Sequence, residues 1–194
     1  HVLCRRQDLR LRGQHNVANV LAAACAALLA GADLAAARQV ATEFEGVPHR
    51  LEIVRRWNGI TFVNDSIATT PERAMAALGA FDEPLVLLAG GRDKHLPWDR
   101  WAQRVKQKVR VVVTFGECAP LIRGVLASAG PMETELCECE DLASAVAMAS
   151  QLARPGEVVL LSPGGTSFDA FADFEARGQA FRDLVAGLEG NTDV

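Results

Sequence analysis

Four apolar residues in a row, Val158–Leu161, stop at Ser162-Pro163-Gly164-Gly165. An apolar run without alternation suits a strand buried on both faces, as in parallel sheets covered by helices. The two glycines then allow a sharp turn and a close approach of backbone to a ligand. Phe168, Phe171, Phe174 and Phe181 follow at roughly helical spacing, with Asp169, Asp173 and Glu175 between them. The pattern predicts a helix capped by Thr166 or Ser167. Strand, glycine turn and helix N-terminus would together seat a phosphate or carboxylate. Taken alone, the stretch is more often an ordinary strand–helix connection.

The same organisation recurs upstream. Leu51–Trp57 and Ile60–Val63 flank Asn58-Gly59, a strong hairpin signal. A helix is expected from Thr70 or Pro71 to Leu78, a strand over Leu85–Ala89 and a helix from near Trp98. A strand Val109–Phe115, a helix from Pro120, a strand near Glu135–Cys139 and a helix Leu142–Leu152 complete the series. Strands alternating with helices of this length imply right-handed βαβ units, and therefore a doubly wound, mostly parallel α/β sheet. Before it, Asn16 is placed to cap a helix Val17–Ala30 that Gly31 closes, and Asp33 to cap a second helix to about Phe44. The basic, alternating residues 1–13 read as the end of a strand or hairpin. Glu45-Gly46-Val47-Pro48 is the candidate linker, which divides the chain into segments 1–46 and 47–194.

At 194 residues the chain can bury a large core without staples. A net charge of −4 and no basic stripe speak against nucleic acid as the main partner. Five scattered cysteines suggest reduced thiols in a cytoplasmic protein, and Cys137 and Cys139 lack the second pair that a metal site needs. Val17–Ala30 is too short to span a bilayer, and no secretory signal opens the chain. His1 enters in mid-pattern, which suggests a fragment.

In an open parallel sheet, ligands bind beyond the carboxyl ends of the strands. Three strand ends carry polar chemistry: Asn64–Thr70, Gly90–His95 and Ser162–Ser167. Asp65 can accept from a ribose hydroxyl or an amine, or can satisfy the amides of its own turn. Thr69 and Thr70 with Pro71 and Glu72 also fit a simple cap. Lys94 offers a point charge to a carboxylate or phosphate, and Asn19 an amide to a base edge. Arg50 sits at the presumed hinge. Phe168 and Phe174 are the aromatic residues placed to touch a ligand, although a Phe stripe is ordinarily core. The G-x-G-x-x-G dinucleotide spacing is absent.

Gly13-Gln14-His15-Asn16-Val17-Ala18-Asn19, Val47–Glu52, Asn64–Thr69, Leu88–Gly91 with Lys94, Leu161–Pro163, Ser167–Asp169 and Phe174–Gly178 occur in that order. The series resembles the Mur ligases, in particular the branch that adds D-glutamate. The resemblance implies that residues 1–46 are the tail of a central ATP-binding domain and 47–194 a Rossmann-like C-terminal domain. By matching position, Asn19, Arg50 and Asp65 would hold ATP, and Thr69, Lys94, Ser167, Phe168 and Phe174 would bind D-glutamate. The implied reaction joins D-glutamate to UDP-N-acetylmuramoyl-L-alanine through an acyl phosphate, with Mg²⁺ held mostly by residues elsewhere. Among amino-acid ligases, another Mur or folylpolyglutamate synthase-like enzyme is the alternative, and a non-catalytic nucleotide- or amino-acid-binding domain is the second.

Two departures stand out. Ile67 occupies a position where the family commonly has lysine, and Thr70 replaces an asparagine. Arg73, Arg92 and Lys94 are the cations available to compensate. Gly164-Gly165-Thr166 replaces the usual Ala-Cys-Ala, which implies a looser loop with the same amides. No G-x-x-x-x-G-K-[ST] phosphate loop occurs in the chain, so the isolated chain is expected to lack ligase activity.

Overall fold

The computed structural model describes residues 2–131 and 133–189, so residues 190–194 of the expected second segment lie outside the described residues. Asn58 and Gly59 both take positive φ, 50° and 75°, and join β1 (Glu52–Trp57) to β2 (Ile60–Asn64) as an antiparallel hairpin. Two such residues give the turn a twist that matches the strands beside it. Every other strand pairing is parallel. With β3 (Leu85–Gly90), β4 (Val109–Phe115), β5 (Glu135–Glu138) and β6 (Val158–Gly164), the order across the sheet is β1-β2-β6-β3-β4-β5. The doubly wound, mostly parallel sheet is present as expected.

Helices cover both faces. Leu85, Leu87 and Ala89 point to one core with α3 (Pro71–Leu78), α4 (Asp99–Lys108) and α5 (Ala119–Ser128). Val86 and Leu88 point to the other, with α6 (Leu142–Leu152) and α7 (Phe174–Ala186). Burial on both sides is why β3 reads as an unbroken apolar run. The chain passes from β2 through α3 to β3, winds out to β5, and returns through α6 to place β6 between β2 and β3. Because α3 and α7 leave neighbouring strands on opposite faces, a crevice opens at the carboxyl ends of β2, β6 and β3.

The amino-terminal segment corrects two expectations. Residues 2–13 form no strand: they run irregularly with a 3-10 turn at Arg6–Asp8. Extended backbone needs a ladder partner, and Leu3 instead gives its carbonyl to Arg38 Nε at 2.6 Å. Asn16 is not a cap but lies inside α1 (Gln14–Leu29), buried, with its amide donating to the Arg12 carbonyl at 2.8 Å. Gly13, at φ 89°, takes the cap position. Asp33 does cap α2 (Leu34–Glu43), accepting from Ala36 N at 2.8 Å. Arg12 docks this segment on the sheet domain by pairing with Glu83 at 2.8 Å and lying over the Phe81 ring.

A third correction concerns the last helix. It starts at Phe174, and Asp173 caps it by accepting from Ala176 N at 2.7 Å. Thr166 cannot begin a helix, because its N–H and carbonyl pair with Arg92 at 2.8 and 2.9 Å and hold it extended. Residues 167–173 are turns, and Phe168 ends up 60% exposed. The glycine turn therefore does not lead into a helix N-terminus.

Within α7, Arg177 is fully buried and Gly178 lies against the hinge. A Cβ on Gly178 would stand 2.1 Å from Nδ1 of His49, whose ring contacts the Asn64 amide at 3.0 Å and meets Phe174 edge-on. With that ring held on two sides, Gly178→Ala is expected to destabilise the chain by about 1–3 kcal/mol in urea unfolding. A change below about 0.5 kcal/mol would show that the His49 ring yields.

Candidate functional site

Backbone pairing draws the three polar strand ends together. Gly164 N donates to the Ala68 carbonyl at 2.9 Å, which ties the loop after β6 to the loop after β2. The Arg92–Thr166 pair ties it to the loop after β3. Gly91 makes that approach possible: at φ 95°, a Cβ there would lie 2.1 Å from the Thr166 carbonyl oxygen. The loops that bear Lys94 and Ser167 consequently meet at one rim.

The residues expected to bind an amino acid distribute unevenly on it. Lys94 Nζ donates to Thr69 Oγ1 at 3.4 Å, so these two meet. Ser167 is buried beside Thr166, and its carbonyl accepts from Ala170 and Phe171 N at 3.1 and 2.8 Å. Phe168 stands exposed on the same loop, whereas Phe174 is half-buried against His49, with ring centroids 6.2 Å apart.

Asp65 is the chemical centre of the neighbouring cleft. Its carboxyl accepts from Ser162 Oγ at 2.9 Å and from Leu51 N at 3.2 Å, and only 5% of the residue is exposed. Burial pushes its pKa up to about 7, against the lowering effect of those two hydrogen bonds and of Arg50 and Arg73. The hinge folds onto this carboxyl. His49 and Leu51 both adopt positive φ, 63° and 48°, which side chains resist. They are held there by Ile67 N on the His49 carbonyl, by Glu52 on His49 N and by Asp65 on Leu51 N. His49 has its pKa held below the ordinary value by burial and then by Arg182.

His15, Arg50, Asp65, Ile67 and Arg73 line a cleft of about 180 Å³. Asn19 lies elsewhere, on an apolar groove of about 500 Å³ between α1 and α2, where its amide donates to Asn16 Oδ1 at 3.2 Å. Arg50 lines both, so the three residues expected around ATP are linked through Arg50 but do not line one pocket. Of the candidate compensating cations, Arg92 is held bidentate by Glu117 at 2.8 Å for each contact. Arg73 instead lies in the cleft with Nη1 on the Ile67 carbonyl at 3.4 Å.

Sequence reasoning assigned no role to Ser66, Ser162 or Arg177. Arg177 Nε donates to Ser66 Oγ at 3.0 Å, Nη2 to the Ser66 carbonyl at 2.9 Å and Nη1 to the Gly165 carbonyl at 3.2 Å. Its signal was present: Arg177 falls three residues after Phe174 and four before Phe181, a charge on the apolar stripe.

Because the folded Asp65 carboxyl titrates above a free one at 3.8, the fold holds that proton more tightly than the unfolded chain does. The stability Asp65 contributes is therefore present at low pH and lost as pH rises through about 7. Asp65→Asn never ionises, and the Ser162 hydroxyl can turn to accept from its amide. Its stability relative to the parent chain is expected to rise between about pH 4 and pH 7, by up to roughly 4 kcal/mol, and then level off. Urea unfolding of both chains across that range measures this, and a difference independent of pH would place the Asp65 carboxyl in its ordinary range.

Known proteins share this arrangement. The family described as "Mur ligase, glutamate ligase domain" matches residues 49–165. The UDP-N-acetylmuramoylalanine–D-glutamate ligase of Symbiobacterium thermophilum is 47% identical over 93% of the chain, and that of Roseiflexus sp. is 44% identical over 95%. The chain spans 40% of the length of each. Among solved structures, the UDP-N-acetylmuramate-alanine ligase of Thermotoga maritima superposes with a TM-score of 0.65 at 22% identity, covering 92% of this chain and 39% of that one. The folylpolyglutamate synthase of Mycobacterium tuberculosis gives 0.64 at 21%, covering 94% and 42%. These two likenesses concern the fold, while the family match spans the hinge, the Asp65–Thr69 loop, Lys94 and the start of the glycine turn; on that match the chain belongs to the Mur ligase family.

Proposed function

We propose that this chain is the amino-acid-accepting, closing part of a cytoplasmic ATP-dependent ligase that joins D-glutamate to UDP-N-acetylmuramoyl-L-alanine. The observation that carries the reading is the shared rim: Lys94 touching Thr69, on loops that the Arg92–Thr166 pair ties to the segment bearing Ser167, next to the Asp65–Arg50 cleft. Residues 1–46 then belong to a central ATP-binding domain, and residues from 47 onward form the domain that closes on it.

In this reading ATP phosphorylates the alanyl carboxylate, releasing ADP and leaving an acyl phosphate. The amine of D-glutamate attacks the carbonyl, the tetrahedral centre collapses, phosphate departs and an amide remains. The chain's part is to orient. Lys94 takes a glutamate carboxylate, the hydroxyls of Thr69 and Ser167 fix its direction, and Phe168 and Phe174 border the seat. Arg50, Asp65 and Asn19 hold the nucleotide. Holding the amine in line converts an encounter into an intramolecular step, which is where most of the acceleration from this domain arises. Among the described residues, no group of three or more His, Cys, Asp or Glu comes together to hold Mg²⁺, and in this reading its ligands lie mostly elsewhere in the longer polypeptide. We assign to Arg73 the positive charge that a lysine at position 67 would supply, since it faces Asp65 across the cleft while Arg92 is engaged by Glu117.

Two experiments test the reading. In the longer polypeptide, ADP release should require D-glutamate and fail with L-alanine or L-glutamate, and the isolated chain should release none. Preference for another amino acid would move the chain to another ligase specificity, and release by the isolated chain would refute the division of labour. In the same assay Lys94→Ala should raise the KM for D-glutamate, and Arg73→Ala the KM for ATP, each about 10- to 100-fold. Unchanged constants would remove those residues from the site.

A further inference from the structure

We propose that Arg177 is a positioning residue: one guanidinium, gripping Ser66 and Gly165, sets the spacing between the loop bearing Asp65 and Thr69 and the loop bearing Ser167. The inference rests on the ligase reading above. Arg177 is fully buried and so touches no substrate; it can act only through the loops it holds. Its three hydrogen bonds go to two segments far apart in sequence, and neither contact is to a carboxylate. Ser66 relays the grip, since its hydroxyl also donates to the Phe174 carbonyl at 2.8 Å. The third loop is built around the same group, because a Cβ on Gly91 would lie 2.9 Å from Arg177 Nη1.

The backbone bonds already described close the strand-side half of the rim, through Gly164 and Thr166. Arg177 is what joins Gly165, between them, to Ser66, the residue that follows Asp65. Nucleotide and amino acid are assigned to opposite sides of that join. A planar fork reaching both Ser66 and Gly165 cannot be copied by an ammonium, which gathers its donors at one point. Arg177→Lys should therefore leave the fold but let the two loops drift, and displacements of about 1 Å at such sites cost on the order of 100-fold in rate.

The test is steady-state ADP release by the full-length enzyme, at a temperature where circular dichroism shows each variant folded. Arg177→Lys is expected to raise the KM for D-glutamate and for ATP together, each about tenfold or more. Arg110→Lys is the control. It weakens a buried-end ion pair with Glu157, 2.6 Å, at the opposite end of β6, and should lower the melting temperature without moving either KM. A folded Arg177→Lys enzyme with both constants unchanged overturns the proposal, as does an equal effect from Arg110→Lys. Should Arg177→Lys fail to fold, Ser66→Ala keeps the guanidinium and removes one of its acceptors. Smaller increases in the same two constants support the proposal, and unmoved constants overturn it. If the unsubstituted enzyme releases no ADP with D-glutamate, the ligase reading falls and this inference with it; normal turnover with unmoved constants removes Arg177 alone.

Discussion

A buried cation with no carboxylate among its hydrogen-bond acceptors ties the rim of this sheet together. Arg177 is buried among carbonyls and a hydroxyl, and burial lowers its pKa to about 10, with Asp169 and Cys118 opposing. At neutral pH it is still a cation. Burying an ion is tolerated only where its donors are used, and here the guanidinium spends them on main-chain oxygens that parallel strands leave unpaired at their ends. Those oxygens belong to the loops that form the rim. The same group therefore satisfies the ends of two strands and determines how far apart they sit.

The helix that carries Arg177 is fastened along its whole length. Arg182 pairs with Glu52 at 2.6 Å, and Glu52 in turn accepts from His49 N at the hinge. Beyond its last turn, Arg55 of β1 reaches the carbonyls of Val185, Ala186 and Leu188 at 2.8, 3.2 and 3.0 Å, placing a cation at the negative end of the helix. Edge hairpin, the His49–Leu51 turn and rim are thus all fastened to α7. The Phe44–Pro48 stretch before that turn is tied more lightly: Glu45 is held through its side chain by Arg10, and Gly46 has φ 111°. The strained His49 and Leu51 belong to the fastened part.

Much of this was legible in residues alone. Continuous apolar runs, the Asn-Gly pair and the Asp33 cap each depend on local chemistry, and each formed where its chemistry predicts. The failures have a common cause. Asn16 and Thr166 are good caps in isolation, but Asn16 is captured by Arg12 and Thr166 by Arg92, partners that only the tertiary fold supplies. Residues 2–13 carry a strand-like alternation, yet alternation cannot create the neighbouring strand it requires. Thr69 and Lys94 were assigned through resemblance, and their contact follows from topology rather than from any spacing. Arg177 lay within the Phe174–Gly178 match, but the residue pattern showed it only as an inconsistency on an apolar stripe, with no role attached.

The distribution of charge gives the rim its character. The chain as a whole is acidic, at −4, and several of its arginines are neutralised by a carboxylate: Arg92 by Glu117, Arg110 by Glu157, Arg182 by Glu52. Arg50, Arg73 and Lys94 are different. Among the described residues none of the three is paired with a carboxylate within salt-bridge distance, and Asp65, which lies near both arginines, has its pKa raised to about 7 by its own burial. An acidic surface with unpaired cations gathered at one crevice focuses its field there and draws anions to it. Desolvating Asp65 thus does more than strain a side chain: by weakening the negative charge that would quench Arg50 and Arg73, it leaves both cations more available to whatever anion the crevice receives.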